Sequence, residues 1–282
     1  MTDSKKKSAI TGYPVAHSRS PLVHGYWLKK HRLEGEYGRV EVSPEDADAF
    51  YRTFSGSGLT GANVTVPHKE VAAGACDWLD DAARAMGAVN TLWLDEDGKL
   101  CGGNTDGLGF LGNLDQLAPG WDVSRESAVV LGAGGAARAV VWALLSRKFT
   151  TVHIVNRTFE NARKIADEFG PKTIPHSWDK LGTLLGKTDL LINTTSLGMS
   201  GKPPLEIDLT LLPKSALVTD IVYVPLETGL LKQAAARGNR TVDGLGMLLH
   251  QAVPGFERWF GVRPEVDDAL RALVLKDLEE TE

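Results

Sequence analysis

The sequence predicts an α/β protein of two domains, the second built on a doubly wound parallel sheet. Two observations carry that expectation. Short apolar strands alternate with helical stretches along the chain, the pattern of strands joined by helical crossovers. The character then changes after about Asp106: buried strands and helices alternate more regularly, until the stretch from Leu245 onward loses strand character. This gives a first domain of residues 1–106, completed by 245–282, and a second of residues 107–244.

Each element has a local reason. Ser8 to Thr11 reads as the first strand, and Ser20 before Pro21 is the N-cap and first-position arrangement of a helix running to about His31. Tyr37 to Val42 is strand-like, and Ser43-Pro44-Glu45-Asp46 opens a further helix by the same chemistry. Ala62 to Val66 is rich in β-formers and stops at Pro67. Val89 to Leu94 and Leu100 to Asn104 flank Asp95-Glu96-Asp97-Gly98, a polar turn that suggests a hairpin. In the second domain, Ser127 to Leu131, Thr151 to Val155, Leu190 to Asn193, Ala216 to Ile221 and Thr241 to Val242 form a strand series. A helix to about Lys148 follows the first of these.

Composition narrows the function. The 282 residues are 43% hydrophobic and 24% charged, as in a globular protein free in solution, and no stretch reaches membrane-spanning length. A formal charge of -5 gives no reason to expect a nucleic acid. The run Lys5-Lys6-Lys7 reads as a solvated, mobile tail. Cys76 and Cys101 are the only cysteines, which excludes a disulfide framework and suits a reducing cytoplasm. Neither they nor His17 and His24 make up a metal-ligand set.

The strand Ser127–Leu131 runs into Gly132-Ala133-Gly134-Gly135-Ala136-Ala137 and a helix, the G-x-G-x-x-A dinucleotide fingerprint of a Rossmann-type domain in its proper context. Gly132 allows the tight turn, Gly134 lets the backbone approach a pyrophosphate, and Ala137 still permits close helix packing. Free N–H groups at the helix start, helped by the dipole, then favour phosphate. Where NAD sites usually carry an acid, after the second strand, stands Asn156-Arg157-Thr158. Arg157 can meet a 2′-phosphate, which points to NADP(H); Glu160 beside it suits a phosphate poorly.

Three first-domain segments stand out: Gly12-Tyr13-Pro14-Val15-Ala16-His17-Ser18-Arg19-Ser20-Pro21, Asn63-Val64-Thr65-Val66-Pro67-His68-Lys69 and Gly103-Asn104-Thr105-Asp106-Gly107. With Gly87-Ala88-Val89-Asn90-Thr91, Asn193-Thr194-Thr195-Ser196 and Gly244-Leu245-Gly246-Met247-Leu248-Leu249-His250-Gln251, the chain resembles the shikimate dehydrogenase family over nearly its whole length.

The resemblance implies reversible reduction of 3-dehydroshikimate by NADPH, a step of aromatic amino-acid biosynthesis. Lys69 and Asp106 fall where the family has its catalytic pair. A ketone reduced by hydride needs a proton, and a Lys and an Asp sharing a site orient one another and keep each other charged. Ser18 and Ser20 match the carboxylate contacts, Ser20 having the N-cap role as a second reading. Thr65, Asn90, Tyr223 and Gln251 match further substrate contacts, with Asn63 beside them; Tyr223 alone could equally be a core tyrosine with a wet tip. On the cofactor side the resemblance adds Gly244, the segment Asn156 to Asn161, Ile221 near the nicotinamide, and Asp81. Asn161 stands where a second phosphate-binding Arg is frequent, so Arg157 acts alone or with Arg163. Partners are then a small-molecule substrate and a possible second copy in a homodimer, with no metal, nucleic acid or membrane. A quinate or dual quinate/shikimate dehydrogenase is the alternative, with a non-catalytic NADP-binding sensor more remote; the latter predicts loss of Lys69 or Asp106, and both are present.

Overall fold

A computed structural model describes residues 5–281. The chain forms two compact units: residues up to Thr105 together with those from Gln251, and the continuous stretch Asp106–His250.

The first unit opens with β1 (Lys6–Gly12), α1 (Ser20–Lys30), β2 (Gly35–Glu41), α2 (Ala47–Arg52), β3 (Gly61–Val64), α3 (Lys69–Ala75), β4 (Trp78–Leu79), α4 (Asp81–Met86), β5 (Thr91–Leu94) and β6 (Leu100–Gly103). The second comprises α5 (Asp106–Leu117), β7 (Ser127–Leu131), α6 (Gly135–Ser146), β8 (Thr151–Asn156), α7 (Phe159–Phe169), β9 (Thr173–Ser177), α8 (Leu181–Leu185), β10 (Leu190–Asn193), β11 (Leu217–Asp220), α9 (Gly229–Ala236), β12 (Arg240–Val242) and α10 (Leu245–His250). Helices α11 (Val253–Phe260) and α12 (Asp268–Thr281) belong to the first unit.

The first sheet has the order β2-β1-β3-β5-β6-β4. It is mixed: β1 runs parallel to β2 and β3, while β5 pairs antiparallel with β3 and β6. The expected hairpin is β5–β6, its turn held by Asp95, whose carboxylate accepts from Asp97 N and Lys99 N. Ala62, Val64, Leu92 and Leu100 bury one face against Tyr51, Phe54 and Ala72 of neighbouring segments. The other meets α11, where Pro254 sits in the first turn and Val253, Phe256, Trp259 and Phe260 are buried. Trp259 also donates its indole N–H to Leu92 O at 2.9 Å, satisfying the polar tip of a fully packed ring.

The second sheet is wholly parallel, in the order β12-β11-β10-β7-β8-β9. Two three-strand halves wind outward from the β7–β10 pair, the doubly wound arrangement, with its switch point between those strands. All five residues of β7 are buried, because helices cover both faces of the sheet. Phe110, Leu114, Val140, Val141 and Ile165 pack one face; Leu181, Leu185, Leu230 and Leu231 pack the other. Helix α10 lies against α5 in this unit.

Several local readings change. Lys6 and Lys7 are in β1, and Lys5 and Lys7 both pair with Glu36 on β2, at 3.0 and 3.3 Å. Sheet pairing thus orders a run that charge alone marks as tail. Arg19 is the N-cap of α1, and Ser20 is already inside the helix without a capping bond. Helix α2 starts only at Ala47, because the Ser43 hydroxyl bonds Asp46 and closes a separate turn before it. Lys69, beyond the strand that stops before Pro67, is the first residue of α3.

Candidate active site

In the first unit, two loops leave adjacent parallel strands. The loop after β1 carries Ser18 and leads to Ser20 at the start of α1; that after β3 carries Thr65 and leads to Lys69. Backbone bonds join them: Thr65 N donates to Thr11 O at 2.9 Å, and Tyr13 N to Val66 O at 3.1 Å. Arg39 holds the first loop by donating to Ser18 O at 2.7 Å. The Ser18 and Ser20 hydroxyls lie 3.3 Å apart, and Ser18 Oγ also accepts from Ser20 N. Two hydroxyls and the start of an eleven-residue helix therefore converge, a setting that favours a carboxylate.

Behind them runs a polar lattice. Asn63 is buried; its Oδ1 accepts from Tyr37 Oη at 2.6 Å, and its Nδ2 donates to Asn90 O and Thr91 Oγ1. All these amide bonds are internal, so Asn63 is a brace for its neighbours. Asn90 Oδ1 accepts from Thr91 Oγ1, Thr105 N and Thr105 Oγ1. The Thr105 hydroxyl has one proton to share between this oxygen and the Gln251 carbonyl, so Thr105 N–H and the Thr91 hydroxyl fix the flip of that amide and aim its nitrogen away from them. Thr105 Oγ1 reaches Gln251 O at 2.8 Å, which ties the site to the start of the C-terminal segment.

The sequence reading did not single out Tyr37. Its ring stacks on buried His24, centroids 4.0 Å apart at 7°. Burial holds the His24 imidazole down to about 3 and pushes the Tyr37 phenol well above its ordinary value. The signal available was β2 alternation, which turns Tyr37 and Arg39 to one face.

Lys69 is half-buried. His68, just before it, is fixed by a 2.7 Å contact between Nε2 and Val42 O, and Val89 N donates to Lys69 O at 2.9 Å. These bonds set Lys69 next to the segment that bears Asn90. Asp81 is exposed in the first turn of α4, whose N-cap is Asp80.

In the second unit, Asp106 is the first residue of α5 and half-buried. The glycine turn follows β7. Gly132 has φ +106, and a Cβ there would lie 2.8 Å from Thr194 Oγ1, so both backbone and space demand glycine. Gly134 and Gly135 are exposed, and a Cβ on either would meet nothing within 4 Å. The amides at the start of α6 are thus approachable, flanked by half-buried Ala133 and Ala136, while Ala137 is buried in the core.

Asn156 ends β8, and its Nδ2 donates to Thr158 O at 2.9 Å, shaping the turn that presents Arg157. Arg157, Thr158 and Asn161 are exposed. A cleft of about 650 Å³ is lined by Asn156, Arg157 and Thr195, and also by Trp178, Pro203 and Glu206, which sequence reasoning missed. A second cavity of about 310 Å³ is lined by Thr194, Thr195, Met199, Ile221 and Tyr223. Both belong to the carboxyl ends of parallel strands, where such sheets bind ligands. Gly244 follows β12 and packs against Ile221.

Comparison with known proteins agrees with these motifs. The pattern of the shikimate dehydrogenase substrate binding domain matches residues 10–92, that of shikimate / quinate 5-dehydrogenase residues 115–200, and that of the shikimate 5′-dehydrogenase C-terminal domain residues 244–274. A relative from Azorhizobium caulinodans, shikimate dehydrogenase (NADP(+)), is 58% identical over 273 residues, 97% of each chain. The chain belongs to the shikimate dehydrogenase family.

Among solved members of this shikimate dehydrogenase family and its neighbours, quinate dehydrogenase from Corynebacterium glutamicum in complex with NAD superposes with a TM-score of 0.89 at 28% identity, covering 96% of this chain and 99% of the other. Shikimate 5-dehydrogenase from Thermus thermophilus in complex with NADP(H) and shikimate gives 0.84 at 34%, with the same coverage. Backbone similarity therefore does not separate the two substrates; side chains must.

Proposed function

We propose that this shikimate dehydrogenase binds NADP(H) on its second unit and shikimate or 3-dehydroshikimate on the polar face of the first, with Lys69 and Asp106 managing the proton. It is an NADP-dependent oxidoreductase acting on a CH–OH group. The second unit fits the cofactor: open backbone amides at Gly134 and Gly135, an exposed guanidinium at Arg157 and a 650 Å³ cleft beside it. Ala133, Ala136, Asn156, Thr158, Asn161, Ile221 and Gly244 complete its surroundings; Asp81 is assigned to the cofactor by the family resemblance alone. When bound, the cofactor supplies or accepts hydride.

The chain's own residues do the rest. Ser18 and Ser20 hold the substrate carboxylate. Thr65, Asn90, Tyr223 and Gln251 bond its hydroxyls, and Asn63 acts one step back by bracing Asn90. In the reductive direction the Lys69 ammonium donates a proton to the oxygen that becomes the alkoxide. In the oxidative direction neutral Lys69 takes it back. Asp106 orients the reacting hydroxyl.

The observation that carries the reading is the bond from Val89 N to Lys69 O, which sets the lysine alongside Asn90 and its hydrogen-bond lattice. We place the enzyme in the cytoplasm on the ground that Cys76 and Cys101 are both free thiols. The test is turnover of shikimate and of quinate, each with NADP and with NAD. Shikimate with NADP should have the highest kcat/KM, and equal or better use of quinate would overturn the substrate assignment.

A further inference from the structure

A buried carboxylate without a cationic partner among the described residues stands behind the 310 Å³ cavity. Asp220, the last residue of β11, is 0% exposed. Its Oδ1 accepts from Asn193 Nδ2 at 2.9 Å and Val222 N at 3.0 Å, and its Oδ2 accepts from Thr228 Oγ1 at 2.7 Å. All three donors are neutral. An anion so placed is costly compared with an apolar side chain, so its bonds call for a purpose beyond packing.

The bonds lead to both walls of the cavity. Asn193 passes the constraint to one wall, since its Oδ1 accepts from Thr195 N at 3.0 Å and Thr195 Oγ1 at 2.7 Å. Val222 lies in the other wall, between Ile221 and Tyr223. Thr228 caps α9 by accepting from Leu231 N, so it fixes the far end of the same loop. Gly244 closes the arrangement: a Cβ there would sit 2.3 Å from Ile221 O and 2.8 Å from Asp220 O.

We propose that Asp220 is a positioning residue, whose one carboxylate sets the spacing between the Thr194–Ser196 and Ile221–Val224 walls and so shapes the nicotinamide end of the cofactor site. This rests on the cofactor assignment above. In Asp220→Asn the oxygen can keep its two donors, but the amide then offers N–H to a Thr228 hydroxyl that already accepts from Leu231 N. The hydroxyl must turn its own proton away, and the charge-assisted bond becomes at best a weaker neutral one from the amide.

Burial pushes the Asp220 carboxyl up to about 6, which supplies a readout that plain packing would not move. The ionisable side chains on the elements packed against it are Lys232 on α9, Arg240 on β12 and Asp243 beyond it; none bonds its carboxylate. Tyr223 follows two residues later.

The experiment measures NADPH binding to the full-length protein by fluorescence at pH 5 to 8, for wild type, Asp220→Asn, Thr228→Val and Thr228→Ser, with melting curves at each pH. The 2′-phosphate of NADPH also titrates near pH 6, so the quantity read is the ratio of variant to wild-type Kd. Asp220→Asn and Thr228→Val should stay folded and bind about fivefold more weakly at pH 8, while Thr228→Ser should match wild type. For Asp220→Asn the ratio should fall toward one below pH 6, where the wild-type carboxyl carries its own proton. If both variants bind like wild type at pH 8, if the Asp220→Asn ratio does not change with pH, or if both variants fail to fold, the proposal is overturned. A wild type that binds no NADPH would instead remove the cofactor assignment beneath it.

Discussion

Arg163 closes a 2.8 Å ion pair with Glu160 on the exposed side of α7. The acid that suits a phosphate site poorly is thereby engaged by a neighbouring arginine, and Arg157 is an exposed cation lining the cleft. Arg157→Ala should weaken NADP binding by about 1.5–3 kcal/mol, and NAD binding much less. Raised salt should reproduce part of this loss, since an exposed pair is screened. The measurement is the NADP/NAD ratio of kcat/KM at one ionic strength; a ratio that does not move would make Arg157 a plain surface residue.

Lys69→Ala should lower kcat by roughly 10²–10⁴-fold, the range for removing a positioned acid/base group. Substrate KM should change less, because the carboxylate contacts are elsewhere. Asp106→Asn should also be severe through lost orientation. Steady-state kinetics in both directions decide this, and near-normal kcat in both variants would refute the pair.

Arg19, not Ser20, is the N-cap of α1, so Ser20→Ala should cost no capping energy while raising KM for shikimate. Ser18→Ala should raise KM by roughly 10- to 150-fold, the worth of a charge-assisted bond. It also removes the acceptor for Ser20 N, and a small stability loss should follow. Unaltered KM in both variants would move the carboxylate site away from these hydroxyls.

Acid should destabilise the fold through its buried imidazoles. Burial lowers His24 from 6.5 to about 3 and His250 to about 4. The unfolded chain protonates both rings near pH 6.5 and the folded chain does not, so stability falls as pH drops below that value. Asp220 works in the opposite sense, its folded carboxyl taking a proton near 6 against an ordinary value of 3.8. His153 and His176, also lowered by burial, act in the same sense as His24 and His250, so the imidazoles outweigh the carboxyl and stability falls as pH drops from about 6 to 4. Urea unfolding at pH 7 and 5 measures it. His24→Phe, which keeps an aromatic ring beside Tyr37, should flatten the slope, and an unchanged slope would show that His24 is not the source.

Much of the second unit could be read from the sequence because its signals are local. A buried five-residue strand, a glycine turn and an Ala-rich helix follow one another without interruption, and the fingerprint needs no distant partner. Strand β9 was missed: Pro175 and His176 lower its β character, and only pairing with β8 makes it a strand. In the first unit, Ser18, Lys69 and Asn90 could be found as members of motifs. Tyr37 belongs to no motif: β2 alternation marks its face, but its contact with Asn63 joins residues 26 apart in sequence. The cap of α1 was misplaced for a related reason: Ser20 before Pro21 has the right composition, but the bond from Ser20 N to Ser18 Oγ shifts the start by one residue. Asp220 gave no signal at all, because a single acid at a strand end looks like any solvated residue until its burial is known.

The order in which the ribosome delivers the chain sets a last consequence. The second unit is one uninterrupted stretch, whereas the first lacks α11 and α12 until the second has been made. During that interval the β3–β5 surface stands bare where Trp259 will lie, with Gly61 waiting under the indole. Growth at roughly 5–20 residues per second makes the wait seconds long, ample for a chaperone to engage an aromatic-hungry sheet. A chain cut short just before α11 is therefore the damaging kind of truncation: its nucleotide unit is whole, its other unit cannot close, and proteases have a lasting target.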